Sequence, residues 1–301
     1  MEIKDGVKIG DNNFEIVGVL TKKDISDKIT STGKKYLEGF INVEVNKENK
    51  VNSFKISVKF YELKTDGTEN QLYSNHGKKL QEEYNVGDTI KVSGVINNNE
   101  YYTNDLELRS YQKFEGKFFH KVNENEKQRA YATVDTYIQG IMPEEDKLKI
   151  QGYNLGYNNF LTELYDLYVP KELIEGFNTI YFEGTTGKLS IELENYSEVE
   201  EKTVQEQQAF GEVVNLTVET YDKYVKGLRI IGGQQPYMMD KAWTKEDIEL
   251  GKQKREQKLE ENKQYVMQKN QNTSMPVTGF SSEEEKQIAE VESVFDENPF
   301  A

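Results

Sequence analysis

The stretch from Phe54 to Tyr61 constrains this chain more than any other, because its apolar and polar residues alternate without a break. Phe54, Ile56, Val58 and Phe60 fall on one face of a period-2 element, and Lys55, Ser57, Lys59 and Tyr61 fall on the other. A helix would scatter both sets around its circumference, so the stretch is a strand with one buried face and one basic, aromatic face. Phe14 to Leu20 is a second strand, with Gly18 where a strand bends sharply around a barrel. Phe40 to Val45 is a third, and the polar run Asp24 to Glu38 before it is expected to be a long loop. After Leu63, helical spacing through Leu80 and Tyr84 marks a short helix, and the Gly87-Asp88 turn leads into a strand through Ile90 and Val92. The polar run Asn97 to Asn104 then joins this strand to a last one over Asp105 to Tyr111.

Three strands, a short helix, a Gly-Asp turn and two further strands resemble the five-stranded OB barrel. The resemblance implies an oligonucleotide-binding face on strands 2 and 3, flanked by two loops. Residues 126–240 are predicted to repeat the plan, with strands over Tyr131 to Ile141, Lys147 to Leu155 and Phe160 to Val169, and a turn or helix from Pro170 to Gly176. Ile180, Phe182 and Gly184 echo Ile90, Val92 and Gly94 at the same spacing, which predicts a fourth strand there. Further strands are expected over Ala209 to Leu216, Val218 to Tyr224 and Gly227 to Gly232. The fold class is therefore mainly β: two tandem OB-like five-stranded barrels, then a charged helix and a disordered acidic tail.

Charge refines that division. The whole chain carries a net charge of −15, yet residues 1–125 hold 19 Lys and Arg against 20 Asp and Glu, while residues 126–240 hold 10 against 20. The lysine-rich first domain is thus close to neutral, and a groove on it can still attract a polyanion. Residues 241–272 hold 8 cations against 6 carboxylates and begin with the helix-start signature Thr244 to Asp247. This helix is expected to be exposed and weakened at Gly251, with Trp243 stapling it to the second domain. Residues 273–301 form a linker and an acidic tail. Cysteine is absent and the two histidines, His76 and His120, are far apart in sequence, which excludes thiol catalysis and structural zinc. No phosphate loop, nucleophile elbow or metal-ligand spacing is present, so neither an enzyme nor a cofactor is expected. The polar N-terminus and the lack of any membrane-length apolar run predict a soluble, cytoplasmic protein without a membrane partner.

From Ser281 to Ala301 the chain holds seven carboxylates and one lysine and ends on Asn298, Pro299, Phe300 and Ala301. An acidic tether with an aromatic-proline tip resembles the tails of single-stranded DNA-binding proteins, here of phage type, although Ala301 displaces the terminal carboxylate from Phe300 by one residue. The resemblance implies that Phe295, Asp296, Glu297, Pro299 and Phe300 dock onto replication or recombination proteins, in host cytoplasm if the chain is phage-encoded. Single strands are held by cations that track phosphates and flat side chains on which bases stack. Lys55, Lys59 and Tyr61 supply both, Lys34, Lys35 and Tyr36 can close over them, and Tyr101, Tyr102, Arg109 and Tyr111 fall where the strand 4–5 loop reaches the same groove. The expected function is sequence-nonspecific single-stranded DNA binding and protection during replication or recombination. The alternative is an acidic adaptor that binds no nucleic acid, its lysines forming only a solvated strand face.

Overall fold

The computed structural model describes residues 1–4, 7–205 and 216–273. A short antiparallel pair, β1 (Glu2–Lys4) and β2 (Val7–Ile9), comes first. Then β3 (Asn12–Ile29), β4 (Lys35–Lys47) and β5 (Lys50–Tyr61) form an antiparallel meander. A π-helical turn over Tyr73–Lys78 runs into α1 (Lys79–Glu82), and β6 (Thr89–Tyr102) and β7 (Leu108–Lys121) follow. β5 pairs parallel with β7, β7 antiparallel with β6, and β6 returns to β3, so the five strands close in the order expected for an OB barrel. The alternation that identified β5 holds: Phe54, Ile56, Val58 and Phe60 are buried with Phe14, Ile41, Val92 and Phe119. Leu80 and Tyr84 pack into the same core, and Lys23 Nζ donates to the carbonyls of Leu80, Gln81 and Tyr84, occupying acceptors that the end of the short helix leaves unpaired. At Gly18 a Cβ would lie 2.2 Å from the Glu44 carbonyl oxygen, so the glycine permits a close backbone approach, while the register of β3 shifts a little later, between Leu20 and Lys22.

Two predicted loops are instead strand. β3 continues to Ile29 and β4 starts at Lys35, so Asp24 to Glu38 is a ribbon closed by a turn at Thr30 to Lys34. β6 likewise runs through the asparagine-rich stretch to Tyr102. Polarity misled in both cases: the β3–β4 ribbon projects beyond the core, and the β6–β7 ribbon packs its reverse face through polar contacts such as Asn98 with Glu163 and Glu100 with Arg255.

The second unit comprises β8 (Arg129–Pro143), β9 (Lys147–Leu155), β10 (Leu161–Leu164), β11 (Leu167–Pro170), α2 (Ile174–Ile180), β12 (Thr186–Gln205) and β13 (Leu216–Gly233). β10 and β11 share one edge of β9, and a break at Asp166 (φ 56°) divides the single strand expected over Phe160 to Val169. The pairings β8–β9, β9–β11, β11–β13 (parallel), β13–β12 and β12–β8 form a second circuit in the order of the first. The proposed echo at Ile180 and Phe182 is overturned, because Ile180 ends α2 and Phe182 is 66% exposed in a loop. The equivalent landmarks are Gly87 (φ 101°) and Gly184 (φ 86°), each a turn glycine two residues before the fourth strand of its circuit. β13 is one long strand where several were expected, and residues 209–215 lie outside the described residues.

β3 also pairs antiparallel with β8, from Asn12 opposite Val134 to Val17 opposite Arg129, which fuses the two circuits into one sheet of eleven strands with a shared core. α3 (Lys245–Thr273) then lies across both. Its start is a reciprocal capping box: Asp247 N donates to Thr244 Oγ1 at 3.2 Å and Thr244 N to Asp247 Oδ2 at 2.8 Å. Trp243 is buried as expected, its indole N–H donating to the Lys8 carbonyl at 3.1 Å. The helix is continuous through Gly251, contrary to expectation, because that residue is buried against Leu155 and Leu161.

Candidate nucleic-acid interface

In β4 the residues Leu37, Ile41, Val43 and Val45 point into the barrel, which turns Tyr36, Glu38 and Phe40 outward beside Tyr61, Lys59 and Ser57 of β5. Here the outer face carries two cation-aromatic groups. In one, the ammonium groups of Lys55 and Lys22 lie 4.1 and 5.0 Å from the centre of the Phe40 ring. In the other, Lys59 Nζ lies 5.1 Å from Tyr36 and 5.3 Å from Tyr61, whose rings stack 5.3 Å apart. Such contacts hold a flexible ammonium over a flat ring without removing it from water.

The two groups differ in charge balance. Glu38 accepts from Lys28 at 2.5 Å and lies 3.9 Å from Lys59, and the hydrogen bond from Lys28 raises that ammonium above its ordinary value. Lys22 and Lys55 are both exposed, and neither has a carboxylate partner among the described residues. Further along, Lys113 and Lys117 flank Glu115 at 3.0 and 3.7 Å. Burial alone would raise the Glu115 carboxyl, but the two lysines hold it below its ordinary value. Burial pushes Lys117 down. Of these cations, Lys22 and Lys55 at Phe40 are the ones without an ion pair among the described residues, and Asp24 stands opposite Phe40 across the β3–β4 pair.

The ten predicted contact residues divide as follows. Tyr36, Lys59 and Tyr61 come together, with Lys55 on the same face but against Phe40, and Tyr61 is only 9% exposed and stacks on Tyr36, where an open platform was expected. Lys34 and Lys35 are exposed at the tip of the β3–β4 ribbon. Tyr101, Arg109 and Tyr111 are exposed and share one face of the β6–β7 ribbon with Lys113, by register, and Arg109 pairs with Glu107 at 2.6 Å. Tyr102 does not join them. It lies on the reverse of the ribbon, 5.9 Å from Lys263 of α3. Phe40 and Lys22 were missed, yet the odd-numbered apolar set of β4 already implies that Phe40 faces outward. The predicted docking residues Phe295, Asp296, Glu297, Pro299 and Phe300 lie outside the described residues.

Among the described residues no group of three or more His, Asp or Glu is arranged to hold a metal ion, and no helix is long and apolar enough to cross a membrane. The histidines, far apart in sequence, meet with ring centres 5.4 Å apart, but His76 accepts from the Phe119 amide, a packing role.

No curated protein matches the chain. Among solved structures, the wild-type single-stranded DNA-binding protein from Thermus aquaticus aligns at 11% identity over 77% of this chain and 95% of its own, with a TM-score of 0.46. A deletion mutant of that protein aligns at 10% identity over 77% and 98%, with a TM-score of 0.47. A mitochondrial single-stranded DNA-binding protein from S. cerevisiae aligns at 16% identity over 38% and 97%, with a TM-score of 0.26. The fold assignment rests on the strand circuit itself. The YorF family model matches residues 11–265, and the chain belongs to the YorF family.

Proposed function

We propose that the outer face of β4, β5 and β7 binds single-stranded DNA without reading its sequence, and that the protein acts by this binding rather than by catalysis. One observation carries the reading: Lys22 and Lys55, without carboxylate partners among the described residues, converge on the ring of Phe40. An aromatic surface flanked by two available ammonium groups offers a base a stacking partner and the adjoining phosphates their counter-charge. Base stacking of this kind contributes roughly 1–3 kcal/mol per base and tolerates any sequence, since every base has a flat face. The half-buried Tyr36, backed by Tyr61, extends the platform, and Tyr111, Tyr101 and Arg109 continue it along the β6–β7 ribbon.

The test is a fluorescence-anisotropy titration of labelled oligothymidine at about 50 and about 200 mM salt, a range over which phosphate contacts are weakened by competing counterions. Binding that weakens with salt is expected, and no binding at the lower salt would end the proposal. The acidic tail supports a second part of the reading, recruitment of replication or recombination proteins through Phe295 to Phe300. A chain ending at residue 280 is expected to bind oligothymidine equally or more tightly, because a competing polyanion is gone, and to lose those proteins in a pull-down. Retention of the same proteins by the shortened chain would remove the tail from the proposal.

A further inference from the structure

α3 is absorbed by neither circuit, and beneath it lies a pocket of about 240 Å³ between the helix, the Tyr157–Asn159 turn with Phe160, and the reverse of the β6–β7 ribbon. Its floor is apolar, from Phe160, Leu161 and Leu259, and its rim carries Lys254 and Lys258. Lys258 Nζ is 5.3 Å from the centre of the Phe160 ring, repeating the arrangement of Lys55 and Phe40. Lys254 donates to the carbonyl of Asn158 at 2.9 Å. Asn158 and Asn159 are both left-handed, each with φ 56°, which asparagine tolerates better than most residues and which gives the turn its sharp reversal.

Charge decides what this pocket can take. Arg255 is held by Glu100 at 2.6 and 2.8 Å and by Glu163 at 3.0 Å, leaving one excess carboxylate charge at the base. Lys254 and Lys258 are exposed, have no carboxylate partner among the described residues, and together outweigh that excess. A small anion alone would leave the apolar floor uncovered, and an apolar ligand would leave the lysines without a partner. A nucleotide unit, flat at one end and anionic at the other, satisfies both. The wall residues Asn98 and Glu100 belong to the ribbon whose opposite face carries Tyr101, Arg109 and Tyr111. A strand leaving those residues reaches the pocket by crossing one ribbon.

We propose that this pocket holds a nucleotide of the same single strand, with its base over Phe160 and its phosphate between Lys254 and Lys258; this rests on the reading of the barrel face given above. The test compares K254A/K258A and F160A with K22A/K55A, on oligothymidines of about 8 and about 30 nucleotides, lengths chosen to fill one barrel face or to exceed it. K254A/K258A is expected to bind the short strand as the parent does, and to weaken on the long strand with a salt slope lower by about 1.4, the share of two phosphate contacts. F160A is expected to weaken the long strand by about tenfold. Unchanged affinity and slope for K254A/K258A on the long strand would overturn the pocket and leave the barrel face standing. If K22A/K55A has no effect on either length while K254A/K258A weakens the long strand, the barrel face fails and the pocket survives. Because the lysines are exposed, only small losses of thermal stability are expected for the lysine variants, and every variant is compared after matching its folded fraction.

Discussion

Replacing Lys22 and Lys55 together by alanine tests the barrel face where it is most specific. Both side chains are exposed and make no ion pair among the described residues, so their loss should cost folding stability only about 1–2 kcal/mol, the share of the two contacts with the Phe40 ring. If each contacts one phosphate, the slope of log affinity against log salt should fall by about 0.7 per lysine, or about 1.4 for the pair. Over the fourfold change from about 50 to about 200 mM salt, the parent should then lose about sevenfold more affinity than the variant. Lys28 and Lys59 provide the internal control. Glu38 lies 2.5 Å from Lys28 and 3.9 Å from Lys59, so their charge is already partly answered within the protein, and K28A/K59A should change the slope less. Anisotropy titrations at five or six salt concentrations measure both slopes. If K22A/K55A keeps the parental slope, or if K28A/K59A loses as much, the convergence on Phe40 is a solvated surface and the reasoning from unpaired charge is wrong.

Other perturbations probe the frame that holds this face. His76 packs beside His120, and burial, opposed by the 3.3 Å contact of its Nδ1 with the Phe119 carbonyl, holds its imidazole below the ordinary 6.5. Its contribution to stability is therefore complete above about pH 6.5 and falls as the pH drops below that value, because the unfolded chain takes up the proton first. Thermal melts from pH 8 to pH 5.5 should show this fall, and H76Q should flatten it; an unchanged profile in H76Q would place the titration elsewhere. At Gly251 a Cβ would lie 2.7 Å from Leu155 and 3.1 Å from Leu161, so G251A should be destabilising by about 1 kcal/mol in urea titrations. Helix propensity alone would make it stabilising by about as much, and that result would show α3 to be loosely seated. Arg255 lies between Glu100 and Glu163, and R255M should cost about 2 kcal/mol, less than a fully buried pair because the arginine is 23% exposed. Adding E100Q and E163Q should recover most of that loss, and failure to recover it would assign the cost to packing.

The strands that could be read from sequence are those with an apolar face to bury. β5 alternates through eight residues because the core needs every second side chain, and β9 was delimited from Lys147 to Leu155 for a related reason. β12 was not recognised, since beyond Leu193 it becomes a polar ribbon paired with β13, whose Asn195, Tyr196 and Glu198 side chains reach Lys50 to Ser53 of the other circuit. There, Asn195 N donates to Asn52 Oδ1 at 2.8 Å, and Lys50 Nζ donates to the Tyr196 hydroxyl at 2.8 Å. No local period encodes those contacts, which depend on the β3–β8 pairing that brings the circuits together. The echo at Ile180 failed through the same physics: an Ile-x-Phe spacing suits a strand, but α2 buries Phe177 and stacks it on Tyr181 at 5.1 Å, leaving Phe182 exposed.

The interface follows that division. Lys55 and Lys59 were legible because their strand was, whereas Phe40 was passed over because the strand from Phe40 to Val45 was assigned no inner and outer face. Tyr102 was misplaced because adjacent tyrosines at a ribbon tip face opposite sides, and a register one residue different would exchange Tyr101 with Tyr102. The pairing of Tyr101 with Arg109 fixes that register and puts Tyr102 against α3. Oligothymidine binding should therefore separate the pair: Y101A should weaken the short oligonucleotide, while Y102A should leave it unchanged and alter only long-strand binding. Equal loss in both variants on the short strand would mean that the ribbon turns over when it binds, and that its two faces do not hold separate parts of one strand.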